Sequence, residues 1–277
     1  MAFLAMLADI PGAAETALEE LAADPLCLLI LACCALIPLG HWREDVLKEV
    51  VGTAMLILTQ LPVGGWLGSE PIISRFFFVL AVIVTDLCAQ GADMSPSGTL
   101  TKLIEGLAYA RSLSRIASQL LAAVVAHLLL ERLSGALDLP LLSGPTPKEG
   151  VGLPEMCIDE AAATFLLMAT IFAATSFLSE RLWLLQELII AGAIHYNLEN
   201  LNRAGAAMNP MMGSGWAIYA ASRRQALPRT GLAVAPHILC YWFSSMLGAI
   251  GAWLSIRLPV LLFNRWRRAA ESKAKSD

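Results

Sequence analysis

The chain has 277 residues, of which 57% are apolar and 15% charged, with a mean hydropathy of +0.65. Soluble domains carry roughly 25% charged residues, so these figures exclude a disordered chain and an ordinary soluble domain. Long apolar blocks separated by short polar stretches define a polytopic membrane protein. The net charge of −4, with basic side chains mostly at block edges, leaves no basic face for a phosphate backbone, so nucleic acid is excluded as a partner.

The first 25 residues hold no Lys or Arg and include Glu15, Glu19 and Glu20. They lack the basic start of a cleaved signal peptide, so insertion is expected to use a retained internal segment. Apolar blocks follow at 25–40, 46–63, 76–90, 113–131, 157–178, 182–198 and 232–256, each long enough for most of a roughly 30 Å hydrocarbon layer. Seven crossings are predicted. The cysteines at 27, 33, 34, 88, 157 and 240 lie almost all within these blocks and lack the spacing of a zinc site or a secreted disulfide framework. They read as packing residues.

Two further stretches, 96–109 and 210–221, are helical in composition but too short to cross. Each begins with proline after a small polar residue, Ser95-Pro96 and Asn209-Pro210, the N-cap and N1 arrangement that starts a helix. A helix that starts inside a membrane leaves four backbone N–H groups unpaired and must face protein or a water-lined cavity. A pair of such half-helices points to a solute site near the midplane.

An internal repeat ties these features together. Glu49, before Val-Val-Gly-Thr-Ala, matches Glu160, before Ala-Ala-Ala-Thr-Phe, 111 positions later; Ser95 matches Asn209 at 114; Gln119 matches Ser245 at 126. The late increase is absorbed by the 223–230 stretch. Each copy holds three crossings and one half-helix. Three is odd, so the second copy enters from the opposite side and the half-helix starts point at each other. The expected organisation is an N-terminal extension with an extra apolar helix over 1–42, a first repeat over 43–140, a second over 141–256, and a basic cytosolic tail over 257–277. The fold class is an all-α membrane protein built from an inverted repeat of two three-helix units, each with a re-entrant half-helix.

The sequence resembles the aquaporin, or major intrinsic protein, family. Gly91-Ala92-Asp93-Met94-Ser95-Pro96-Ser97-Gly98-Thr99 follows the family's Gly-x-x-x-Asn-Pro-Ala-Val-Thr pattern with Ser at both the Asn and Ala places. Gly205-Ala206-Ala207-Met208-Asn209-Pro210-Met211 is similar to Gly-Ala-x-Met-Asn-Pro-Ala, and Tyr241-Trp242-Phe243-Ser244-Ser245-Met246-Leu247-Gly248-Ala249 to Tyr-Trp-x-x-Pro-Leu-Leu-Gly-Ala. The likeness covers about 43–256. The degenerate first motif and the extra N-terminal segment look most like the unorthodox branch, the superaquaporins.

The resemblance implies a passive channel, without cofactor or metal, for water or small uncharged solutes between the two half-helix starts. Opposed helix N-termini give a central positive potential that disfavours cations. Asn209 is the expected amide donor to a passing solute, while Ser95 either caps its helix or offers its single hydroxyl proton. Ser97 and Met211 stand at the motif's alanine places and are expected where the half-helices meet. The family's filter arginine is replaced by Met212, which removes a donor and a cation barrier. That allows glycerol or hydrogen peroxide, and equally a pore closed by a hydrophobic plug. For the remaining filter positions the register offers His195 or Asn197, and Arg75 or Phe76. Glu49 and Glu160 are expected to organise the backbone N–H groups of the half-helix loops, with Gln119 beside the first. Asp93 either caps the loop or sets a negative charge at a pore mouth.

Enzyme chemistry finds no pattern: the histidines at 41, 127, 195 and 237 form no His-Glu-x-x-His pair, and no glycine-rich phosphate loop follows a strand. Gly213-Ser214-Gly215 reads as close helix packing. Basic residues favour a cytosolic side bearing Arg43, Lys48, Lys102, Arg111, Arg115, Arg181, Arg257 and the tail over one bearing Arg75, Arg132, Lys148, Arg203, Arg223, Arg224 and Arg229. Partners implied are the bilayer, a small neutral solute, and either further copies, four by the family's habit, or a larger membrane assembly. The competing function is a non-conducting subunit that keeps the fold for such an assembly.

Overall fold

The computed structural model describes residues 43–66, 71–89, 91–222 and 234–276. The expected segment at 25–40 with Cys27, Cys33 and Cys34, the 223–230 stretch, and the Arg75 side chain lie outside the described set.

Among the described residues every regular element is helical: α1 Arg43–Trp66, α2 Pro71–Ala89, α3 Pro96–Ile104, α4 Tyr109–Ala136, α5 Leu153–Phe177, α6 Trp183–Asn200, α7 Pro210–Ser222 and α8 Val234–Ala252. α8 continues through a π-helical turn, Trp253–Arg257, into α9, Leu258–Ser276. The expected tail is therefore an extension of the last crossing. Tyr109–Ala136, Leu153–Phe177 and Val234–Ala274 are each long and apolar enough to cross a bilayer, and Phe76–Ala89 is a shorter apolar helix.

The packing repeats itself. α1 lies against α2 and α4, and α5 lies against α6 and α8; α2 meets α6, and both short helices, α3 and α7, insert against α4 and α8. Small residues make the close approaches. A Cβ on Gly248 of α8 would stand 2.4 Å from the Ala161 carbonyl oxygen of α5. One on Gly215 of α7 would stand 2.8 Å from Ala123 Cβ of α4, and one on Gly213 would stand 2.6 Å from the Tyr241 ring of α8. The Gly213-Ser214-Gly215 run thus lets α7 wedge between two crossings, with Trp216 and Tyr219 buried beside His127.

α3 is shorter than the 96–109 stretch. Its end is set by Gly106, whose φ of +109° suits a residue without a Cβ. Leu107 N–H bonds the Lys102 carbonyl at 2.9 Å and Gly106 N–H bonds the Leu103 carbonyl at 3.0 Å. This pair of bonds is the Schellman closure that satisfies the last carbonyls and turns the chain into α4.

Candidate functional site

Both half-helices start in the same way. Gly91 and Gly205 have φ of +84° and +86°, and Met94 and Met208, three residues on, have +53° and +51°. A non-glycine residue in this region costs about 1–2 kcal/mol, so something must hold both loops there. Glu49 does so in the first copy: its buried carboxylate accepts from Asp93 N–H and Met94 N–H, each at 2.9 Å, and from Gln119 Nε2 at 2.8 Å. Glu160 does so in the second, accepting from Ala207 N–H at 3.0 Å and Ser245 Oγ at 2.9 Å. All three repeat landmarks of the sequence converge on equivalent contacts. The methionine side chains match too: Met94 lies against Gly52, and Met208 packs with Ala163, the repeat mate of Gly52.

At the helix starts, Ser95 Oγ accepts from Ser97 N–H at 3.3 Å and Asn209 Oδ1 accepts from Met211 N–H at 3.0 Å. Each side chain caps its own helix. Asn209 Nδ2 also donates to the Met94 carbonyl at 2.7 Å, joining the loop of one copy to the loop of the other. Met211 and Ser97 are fully enclosed, and Pro96 and Pro210 are buried next to the caps. The half-helix ends therefore meet head to head inside the bundle.

Two cavities flank this junction. One, of about 590 Å³, is walled by Ser95, Asn209, Asp93 and Thr101, with Lys102, Glu105 and Arg257 also lining it. The other, of about 570 Å³, is walled by Phe78, Leu198, Ala206 and Met212, together with the Leu141–Thr146 loop. Gln60, Ile194, Ala207 and Met208 line both, so the cavities adjoin across these four residues. No charged side chain lines the Met212 cavity, whereas Asp93, Lys102, Glu105 and Arg257 line the other. Its loop wall is locked on by close contact: Gly144 sits on Trp216, and Gly205 sits on the Thr146 backbone.

Met212 lines the second cavity. His195 and Phe76 do not line either of these cavities. His195 Nε2 lies 3.0 Å from Glu199 Oε1 on the same helix, and Phe76 is exposed on α2. At their levels the wall is made by Ile194 and Phe78. Asn197 is buried, donating to the Ala163 carbonyl at 2.8 Å and to Met208 Sδ at 3.0 Å, and so steadies the second loop.

The Asp93 carboxylate is paired with two basic side chains. Its Oδ2 accepts from Arg115 Nη1 at 2.7 Å and from Thr99 Oγ1 at 3.0 Å, and its Oδ1 pairs with Lys102. Arg115 also reaches Glu49 at 3.3 Å and Asp45 at 3.4 Å, so one buried guanidinium serves three carboxylates. Farther out, Glu105 accepts from Arg257 Nε at 2.9 Å and Trp253 Nε1 at 3.1 Å, both presented by the π-helical turn. Burial works against ionising Glu105, but these partners outweigh it and hold its pKa below the ordinary glutamate value.

Sequence reasoning missed Gln60, Asp86 and Glu187, which also line the walls. The signal was available: a polar or ionisable residue inside an apolar block is costly in lipid and turns toward protein or a cavity.

An inverted pair of half-helices, capped and joined at the centre of an apolar bundle with a cavity on each side, defines a membrane channel. The family profile described as "Major intrinsic protein" matches residues 41–255, and the chain belongs to that family. It is an integral, multi-pass membrane protein of a family whose members are channels for water or small neutral solutes rather than enzymes. Comparison with curated proteins returned no match.

Proposed function

We propose that the protein is a passive channel whose path runs from the Ser95–Asn209 cavity, past Gln60, Ile194, Ala207 and Met208, into the Met212 cavity, and that it favours small neutral solutes such as glycerol and hydrogen peroxide over strict selection for water. The observation that carries this reading is the sharing of those four wall residues by two cavities on opposite sides of the half-helix junction. The chemistry of the path supports it. An amide carries two N–H donors; one from Asn209 is engaged by Met94, which leaves a second on a cavity-lining side chain. Gln60 supplies another polar group on the wall that the two cavities share. Phe78, Ile194, Ala206 and Met212 give the second cavity an apolar mouth, where neither water nor a cation meets a fixed guanidinium.

The competing reading, a non-conducting aquaporin-fold subunit, draws on the same junction: Met208 and the Asn209–Met94 bond stand where a solute must pass. Stopped-flow measurements on proteoliposomes separate the two. Wild-type vesicles are expected to take up glycerol or peroxide at least tenfold faster than empty vesicles, and Met212→Trp to return them to the empty-vesicle rate. Equal rates for wild-type, variant and empty vesicles contradict conduction.

A further inference from the structure

Cys157 is the fifth residue of α5, and Cys240 lies on α8, 83 positions later. Their sulfur atoms stand 2.7 Å apart, with both cysteines as free thiols. Non-bonded heavy atoms settle at roughly 3.5–4 Å, whereas a disulfide closes at about 2.05 Å. Plain packing of two small hydrophobes does not account for so close an approach. A metal pair does not account for it either: among the described residues no group of three or more His, Cys, Asp or Glu is disposed to hold an ion. What remains is a pair of free thiols whose sulfur atoms are already within reach of a sulfur–sulfur bond.

We propose that Cys157 and Cys240 form a cross-linking site that a peroxide-class oxidant closes into an intrachain disulfide between α5 and α8. The two sulfurs differ in access. Cys157 is half-buried, while Cys240 is 3% exposed and backed by Ser244 Oγ at 3.8 Å. Cys157 is therefore the thiol that meets the oxidant. Its thiolate attacks one peroxide oxygen, the O–O bond breaks, and hydroxide leaves and takes up a proton to become water. The resulting sulfenic acid is attacked by Cys240, which forms the S–S bond, breaks the S–O bond and releases a second water. Two thiols and one hydrogen peroxide thus give one disulfide and two waters.

The location suits such a bond. The Cys157 end of α5 follows the Leu141–Thr146 loop, at the end of the bundle opposite the basic tail. The positive-inside rule puts that end away from the cytosol, on the side where disulfides persist. The link would tie the helix bearing Glu160 to the helix bearing Ser245 and Tyr241, whose hydroxyl bonds the Ala204 carbonyl at the second half-helix loop. It would brace the second copy at a place where the first copy has no counterpart, since Val46, the repeat mate of Cys157, is not a thiol.

The test uses full-length protein in lipid vesicles. It is treated with submillimolar hydrogen peroxide, alkylated with N-ethylmaleimide in denaturant, digested and read by peptide mass. The expected result is at least a tenfold loss of maleimide on both Cys157 and Cys240, a peptide pair joined between them, and full recovery of labelling after dithiothreitol. The joined pair already present before peroxide, and removed by dithiothreitol, supports the site equally. In Cys240→Ser, Cys157 is expected to stop at the sulfenic or a higher acid, with no joined peptide. Undiminished labelling of both cysteines in the wild type after peroxide overturns the proposal, as does a disulfide formed only between separate chains.

Discussion

The side-chain amide of Asn209 donates to the backbone carbonyl of Met94 at 2.7 Å, across 115 positions of sequence. It is the direct hydrogen bond between the two half-helix loops among those described. The same side chain caps α7 through its oxygen. One residue therefore starts a helix, joins the two copies and faces a cavity. Replacement by alanine removes the cap and the cross-link together. Asn209→Ala is expected to cost about 1–2 kcal/mol from the cap alone, read as a lower thermal midpoint in detergent, and to cut solute flux at least tenfold. A variant with unchanged midpoint and flux would show that the bond between the loops has no role.

Arg115 is enclosed by Asp93, Glu49 and Asp45. Removing one partner of a buried ion pair typically costs about 3–5 kcal/mol, because the remaining charge is left uncompensated. Arg115→Met is therefore expected to lower the thermal midpoint in detergent sharply while leaving a folded species. Combining it with Asp93→Asn is expected to recover part of the loss, since residues in direct contact do not behave additively. The check is a double-mutant cycle of thermal midpoints. Strict additivity would mean that the two groups do not interact.

At Gly215 there is no room for a side chain, with Ala123 backbone and Cβ atoms within 3.2 Å of where a Cβ would sit. Since backbone cannot yield as a flexible side chain can, Gly215→Val is expected to displace α7 from α4 at a cost of about 1–3 kcal/mol or more. Gly192 has open space at the equivalent point and is the control. Size-exclusion profiles in detergent should show loss of the folded peak for Gly215→Val and an unchanged peak for Gly192→Ala.

The Glu105 latch predicts a pH dependence of known sign. Its folded pKa lies below the ordinary value of 4.5 because Arg257 and Trp253 hold the carboxylate against the cost of burial. A depressed carboxylate contributes stability above the unfolded pKa and loses it as the pH falls through the folded one. Thermal midpoints from pH 7 down to 3 should therefore fall more steeply below about pH 4.5 in the wild type than in Arg257→Gln. Parallel curves would show that the latch carries no stability.

Much of the fold was legible because the repeat spacing fixes which residues must be equivalent. Glu49 and Glu160, Ser95 and Asn209, and Gln119 and Ser245 needed no coordinates to be paired, and each pair makes matching contacts. The wall of the second cavity was less legible. Successive residues on a helix differ by about 100°, so a slip of one residue separates His195 from Ile194, and a slip of two separates Phe76 from Phe78. Sequence identity with a motif cannot supply rotation at that precision where no motif covers α2 or α6. The Asp93 cluster was illegible for another reason. Its partners Lys102 and Arg115 come from α3 and α4, and only the Schellman turn at Gly106 folds α4 back to bring Arg115 beside the loop.

The most direct measurement of the central claim is an experimental density map at side-chain resolution of the protein in a lipid disc. The expected result places Pro96 and Pro210 on opposite sides of one junction, with the Asn209 amide within about 3 Å of the Met94 carbonyl. A map with the two prolines separated by a crossing helix, or entering from the same face of the bilayer, would contradict it.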